Sequence, residues 1–317
     1  MPFEHSDQDA AERDDTRAGT ELRLIGQPPL QDHLDFVTRH VVGGDSISRA
    51  EIIDAWRVAN DHYAELEETE AGLADGADCL ELPETMKGEA DALTRQPYFR
   101  KTFDKVPTHL AMVELNRLVA SQRHVTLPFV KDLATQLSPR PDDAALFRFC
   151  QPVERKDAEV SVRRLGRDRF AFFSDSNDLR FHDGTLLSPD QVSGHQSFGP
   201  VAGNLGLFVG HGSNFLTVVR SDERMVLHNG YHRACALRMA GFTHAPAIVQ
   251  TVTRRDELEV VAASAVVDDP AFYFRTWRPP LLKDFFDPST TAVFPVRRKR
   301  RVVEVTYTVT ETDMEDI

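Results

Sequence analysis

The chain has 317 residues, enough for about two domains, and 41% of them are apolar, so it can bury a sizeable core. Its 37 basic and 50 acidic residues give a formal charge of −13, which argues against whole-molecule steering toward nucleic acid or anionic membrane. Three scattered cysteines without a CxxC exclude a disulfide framework or a cysteine-rich zinc site. No apolar run approaches the roughly 18 residues of a membrane span, and the polar, acidic start lacks the apolar stretch of a signal peptide. These features predict a cytoplasmic protein.

Taken in chain order, residues 1–28 read as an acidic, disordered tail, too poor in apolar groups to offset the entropy of ordering. Residues 29–105 read as a helical region. Leu34, Val37 and Val41 share a face over residues 31–41. Ser48 and Glu51 have capping-box spacing, and Ile52, Trp56, Ala59 and Tyr63 follow at helical intervals. Residues 72–90 look like a loop. The main domain is expected over 106–290, opening with a strand over 110–118, a loop over 119–124 and a helix from Leu127. A β-meander insertion at about 145–200 is predicted from short strand patterns at 159–163, 170–173 and 179–181, with Asp183-Gly184 as a tight turn. The glycine-rich segment 194–214 reads as a loop. It has no Gly-Lys-Ser/Thr, so it is not a phosphate-binding P-loop; His211 and Ser213 are its candidates for lining a pocket.

Residues 214–252 carry the most information. They predict a strand at 215–219, a turn at 220–224, a strand at 225–228, a helix at 231–240 stopped by Gly241, and a strand at 247–252. The start of that helix is unusual. A helix N-terminus carries partial positive charge, yet the first turn holds His232 and Arg233 and no acid. Each such cation costs about 0.3–1 kcal/mol if nothing compensates it. Asn229-Gly230 allows the backbone to turn tightly there. Two explanations stand: an anionic ligand held by backbone N–H groups, guanidinium and imidazole, or pairing of the two side chains with a nearby carboxylate.

The run Leu227-His-Asn-Gly-Tyr-His-Arg-Ala-Cys-Ala-Leu-Arg-Met-Ala-Gly241, followed by Ala245-Pro-Ala-Ile-Val-Gln250, resembles the ParB/sulfiredoxin-like superfamily. Residues 112–137 are similar to that family's opening strand, loop and helix. The resemblance covers about 100 residues, interrupted by the insertion. It implies an α+β fold with a mixed sheet, and a bound nucleotide (ATP, ADP or CTP, with accompanying Mg²⁺) whose phosphates lie at the start of the helix. By that resemblance Asn229, Gly230, Tyr231, His232 and Arg233 bind phosphate, and Gln250, Thr251 and Thr253 approach it.

Departures narrow the reading. Tyr231 stands where sulfiredoxins carry their nucleophilic cysteine, and Cys235 lies inside the helix. Residues 255–317 hold one helix pattern (256–264), a Pro-rich stretch and a strand pattern, not the helix-turn-helix of partition proteins. Free serine kinases of the superfamily carry a turn similar to Asn229-Gly-Tyr-His-Arg233 and a separate carboxylate base, for which Glu114 is the candidate here. The leading expectation is phosphoryl transfer to an acceptor, or nucleotide hydrolysis, with Arg233 neutralising phosphate charge and His232 positioning a phosphate or exchanging a proton. Two other expectations stand beside it. One is a nucleotide-gated switch or scaffold without turnover. The other is a nuclease-like protein using the basic run Arg297-Arg-Lys-Arg-Arg301, which otherwise flanks a strand at 302–309. Segment 291–317 is thus expected to hold the basic run, a strand and an acidic tail. No metal-ligand spacing is present: His228 and His232 flank the Asn-Gly turn and do not share a helix face.

Overall fold

The computed structural model describes residues 19–27, 29–153, 158–194 and 199–313. The fold is α+β, and the chain forms two compact units, one of residues 1–153 and 214–298, the other of residues 154–213 and 299–317.

The first described element of the larger unit is strand β1 (Gly19–Leu24), so residues 19–24 of the acidic tail expected over 1–28 form a strand instead; residues 1–18 lie outside the described residues. Leu22 and Leu24 supply the apolar side of this strand, which pairs antiparallel with β13 (Thr291–Val296) and β5 (His124–Thr126). Helices α1 (Leu30–His40) and α2 (Arg49–Thr69) follow. The Ser48/Glu51 capping box forms: the Glu51 N–H donates to Ser48 Oγ at 3.2 Å, and the Ser48 N–H to Glu51 Oε2 at 3.1 Å. The segment 72–90 is not a plain loop. It contains β2 (Cys79–Glu81) and the start of α3 (Glu84–Thr94), which is followed by α4 (Pro97–Phe103).

A six-stranded mixed sheet organises the rest of this unit. Its strands are β2, β3 (Thr108–Glu114), β4 (Val119–Ala120), β10 (Thr217–Ser221), β11 (Arg224–Asn229) and β12 (His244–Thr251), in spatial order β2-β3-β12-β10-β11-β4. Six consecutive residues of β12, from Ala245 to Gln250, are buried, as expected of a central strand covered on both faces. Side chains of β10 and β11 alternate between two cores. Val218, Met225 and Leu227 face one side, with α5 (Leu127–Gln136), α6 (Asp143–Cys150) and α7 (Tyr231–Met239). Val219 and Val226 face the other, with α8 (Arg255–Val261), α9 (Ser264–Asp268) and α10 (Pro270–Arg275).

The smaller unit holds a three-stranded sheet in the order β14-β7-β6, from β6 (Val160–Arg164), β7 (Arg169–Ser174) and β14 (Arg301–Thr306). A separate ribbon joins β8 (Leu179–Leu187) to β9 (Asn204–His211). Three expectations are corrected here. The insertion spans 154–213 and not 145–200, since residues 143–150 form a helix of the larger unit. It is not a simple meander, because the C-terminal strand inserts beside β7. Asp183-Gly184 is not a turn but lies within β8, next to a register shift, and the glycine-rich segment supplies β9. Gly206 has a packing reason: a Cβ there would fall 2.9 Å from Leu187 Cδ1.

Candidate functional site

Helix α7 starts on Gly230, which has φ +91°. A Cβ at that position would lie 2.9 Å from Leu216 Cα. Glycine is therefore required twice, by conformation and by the close passage of Leu216, the residue before β10. The Asn229 side chain accepts the Gly230 N–H at 2.9 Å. No side chain caps the helix, and no acid occupies its first turn.

Tyr231 is a buried hub. Its hydroxyl donates to the Leu227 carbonyl at 2.6 Å and accepts the N–H groups of Ser121 at 2.7 Å and Gln122 at 3.0 Å. Burial pushes its pKa up to about 12, so the phenol stays protonated. The loop and strand over 121–126 are thereby tied to the helix start.

His232 completes that tie. The Thr126 N–H donates to Nε2 at 3.0 Å, and the Phe129 ring packs against the imidazole edge-on, 5.1 Å between centroids. Burial, with His124 and the Arg233 guanidinium nearby, lowers the His232 pKa to about 4. The side chain is a neutral imidazole whose Nε2 is an acceptor, which puts its proton on Nδ1. A pKa this low makes it a poor proton exchanger near neutrality.

Arg233 points elsewhere. Its Nη1 donates to the Phe149 carbonyl at 2.8 Å and its Nε to the Asn214 carbonyl at 3.1 Å, with the guanidinium over the Phe149 ring at 5.3 Å. Phe149 lies in the last turn of α6. The charge thus meets the negative end of that helix dipole, where a cation is favourable. The expectation of two cations crowding one helix start is corrected: His232 is neutral, and the Arg233 guanidinium donates to the backbone carbonyls of Phe149 and Asn214.

The structure does not bring Glu114, Gln250, Thr251 or Thr253 to this corner. Glu114 sits on β3, separated from β11 by β12 and β10, about 14 Å at the usual strand spacing. Its carboxylate takes an N–H from Asp78 at 3.3 Å and pairs with Arg117 at 3.4 Å. Gln250 and Thr251 pair with Val219 and Arg220, whereas Asn229 is level with Thr217 and Ile248. They are therefore two or three residues down the sheet, about 7–10 Å along the strand direction. Gln250 is buried. Thr253 is consumed in capping: its N–H and hydroxyl both donate to Glu257 Oε2, at 2.7 and 3.1 Å. His211 and Ser213 belong to the smaller unit, where His211 Nε2 lies 3.3 Å from Ser174 Oγ. Cys235 is a core residue whose thiol burial pushes up to about 12. In the basic run, Arg300 pairs with Asp175 at 3.2 Å and Arg301 Nε donates to the Leu179 carbonyl at 3.2 Å.

Ser121, Gln122 and Thr126 were not singled out from the sequence, although the polar run Ser121-Gln-Arg-His124 between a strand and a helix was the available signal. Among the described residues, no group of three or more His, Cys, Asp or Glu side chains gathers as a metal site, and no helix is long and apolar enough to cross a membrane. No protein-family model, curated protein or solved structure matches the chain.

Proposed function

We propose that the chain binds a nucleotide, ATP, ADP or CTP, through its phosphates at the start of α7, and acts as a binding module without turnover. The observation that supports this most is the helix start itself: a left-handed glycine, no side-chain cap and no acid in the first turn. Such a terminus leaves its dipole and backbone donors for an anion. His232 adds to the reading as a neutral donor through Nδ1, fixed by the Thr126 amide. The resemblance of residues 227–250 to the ParB/sulfiredoxin-like superfamily agrees with it. Mg²⁺ would arrive with the nucleotide and be held chiefly by phosphate oxygens and water.

Binding without turnover is favoured over phosphoryl transfer by the position of Glu114. A general base must come within about 3 Å of the proton it removes, and Glu114 lies several strands away and is paired with Arg117. The test is a thermal-unfolding series with ATP, ADP, CTP and inorganic phosphate, each with and without Mg²⁺, on the wild type and His232→Gln. A nucleotide at one hundred times its Kd stabilises the wild type by about 2.7 kcal/mol, and the variant binds it more weakly. Absence of stabilisation by every nucleotide overturns the reading. Steady release of phosphate or diphosphate by the wild type overturns the binding-only form of it.

A further inference from the structure

A second feature of the larger unit lies at the far end of the β10–β11 hairpin from Gly230. An open cleft of about 540 Å³ is lined by Asp75, the hairpin turn from Ser221 to Arg224, and Phe274, Arg275 and Trp277. Three chain segments meet there. The Gly76 N–H donates to the Glu223 carbonyl at 3.0 Å, and the Gly72 N–H to the Trp277 carbonyl at 2.9 Å. The cleft is therefore fixed by backbone bonds. Its volume falls in the range that takes a ligand group.

The charges of the lining divide into two sets. Arg224 is buried and forked on Asp75 through Nε and Nη2, and its Nη1 donates to the Thr276 carbonyl at 2.7 Å. That pair is satisfied internally. Asp222 and Glu223 are exposed and make no ion pair among the described residues. Asp222 is held in the left-handed region at φ 51°. Arg275 is the one remaining cation in the lining. Trp277 lines the same cleft and is 74% exposed. Exposure of this degree is unusual for an indole, whose apolar area normally favours burial.

An exposed indole that lines the same cleft as two carboxylates without an ion pair suits a guanidinium or ammonium group. The ring face attracts the cation and the carboxylates take its hydrogen bonds. We propose that this cleft binds an arginine- or lysine-bearing peptide segment, with its cationic side chain between Trp277 and the Asp222–Glu223 turn. Arg275 and the Ser221 hydroxyl serve the peptide's carbonyl groups. The formal charge of −13 favours the approach of such a partner. The proposal is independent of the nucleotide site, since Glu223 and Gly230 stand at opposite ends of β11.

The test uses the full chain with Trp56→Phe, which leaves Trp277 as the single indole, and a hexa-arginine peptide as probe. A saturable change in Trp277 fluorescence is expected. Asp222→Asn with Glu223→Gln is expected to weaken binding about tenfold or more, and added salt to weaken it further. Binding of labelled peptide to Trp277→Ala, followed by anisotropy, is expected to fall as well; both sites of change are exposed, so the fold is retained. No saturable response, equal affinity in the carboxylate variant, or an equal response to hexa-glutamate overturns the proposal. Tighter binding of spermine than of the peptide overturns the assignment to a peptide.

Discussion

The backbone N–H of Thr126 donates to Nε2 of His232 at 3.0 Å. This bond joins the start of α5 to the first turn of α7 across 106 residues of sequence. It requires a neutral imidazole, because a protonated ring has no acceptor.

Acid should therefore loosen the larger unit. His232 and the buried His33 both have pKa values lowered from 6.5 to about 4, mainly by burial. Between those values the unfolded chain binds more protons than the folded one. The stability these residues support is fully present above 6.5 and is lost as pH falls toward 4. For His33, 2% exposed, the loss reaches about 3 kcal/mol. Urea unfolding at pH 7 and pH 4.5 measures it, and His33→Phe should flatten the dependence. An unchanged midpoint between the two pH values contradicts the assignment.

His62 should behave in the opposite sense. Its Nε2 meets Asp287 Oδ2 at 2.9 Å and its Nδ1 meets Glu65 Oε2 at 3.3 Å. The bond to Asp287 raises the His62 pKa. The folded state then binds the proton more tightly, so this stabilisation is present below pH 6.5 and disappears as pH rises through the raised value. The pair is partly exposed, so its worth is at most about 1 kcal/mol. Titration of His62 by NMR in the wild type and Asp287→Asn checks the direction: the variant should titrate lower.

Gly230→Ala should destabilise the larger unit. The left-handed conformation alone costs about 1–3 kcal/mol for a side-chain-bearing residue, and the new Cβ would meet Leu216 backbone at 2.9 Å. Gly76→Ala is the informative control. It shares a positive φ of 64° but has nothing within 4 Å of the added Cβ, so its loss in urea unfolding should be smaller.

Arg278 is fully buried and forked on Asp284, with Nη2 to Oδ1 at 2.6 Å and Nη1 to Oδ2 at 2.9 Å, and it also reaches Glu70. Asp284 in turn accepts the Leu281 N–H at 2.8 Å. Arg278→Met should cost about 3–5 kcal/mol, because it strands the buried Asp284 carboxylate. Adding Asp284→Asn should recover part of that loss in chemical denaturation.

Local signals in the sequence survive well in the structure. The Ser48/Glu51 box, the strand-turn-strand pattern through 215–228 and the helix stopped by Gly241 depend on neighbours in sequence, and all are present, while the strand expected over 302–309 runs from Arg301 to Thr306. Helix α6 and strand β2 were not legible: they span eight and three residues, too short for periodicity to stand out. Asp183-Gly184 carried a turn signal, but pairing with Phe208 and Leu207 holds it in a strand. The site suffered most where sheet order matters. Nothing local in the sequence places β12 and β10 between Glu114 and Asn229, or reveals that Thr251 pairs with Arg220. Nor does spacing reveal that Arg233 would find the end of α6, a segment read only as part of an insertion.

The most direct measurement is a titration of the isotope-labelled chain with ADP, ATP and CTP, following the backbone amides of residues 230–233 and the His232 side-chain Nδ1–H by NMR. The account predicts saturable shifts concentrated at those amides, with the Nδ1 proton retained at neutral pH and its resonance displaced. Silence of these signals while shifts gather at another part of the surface, or the absence of any shift, contradicts it.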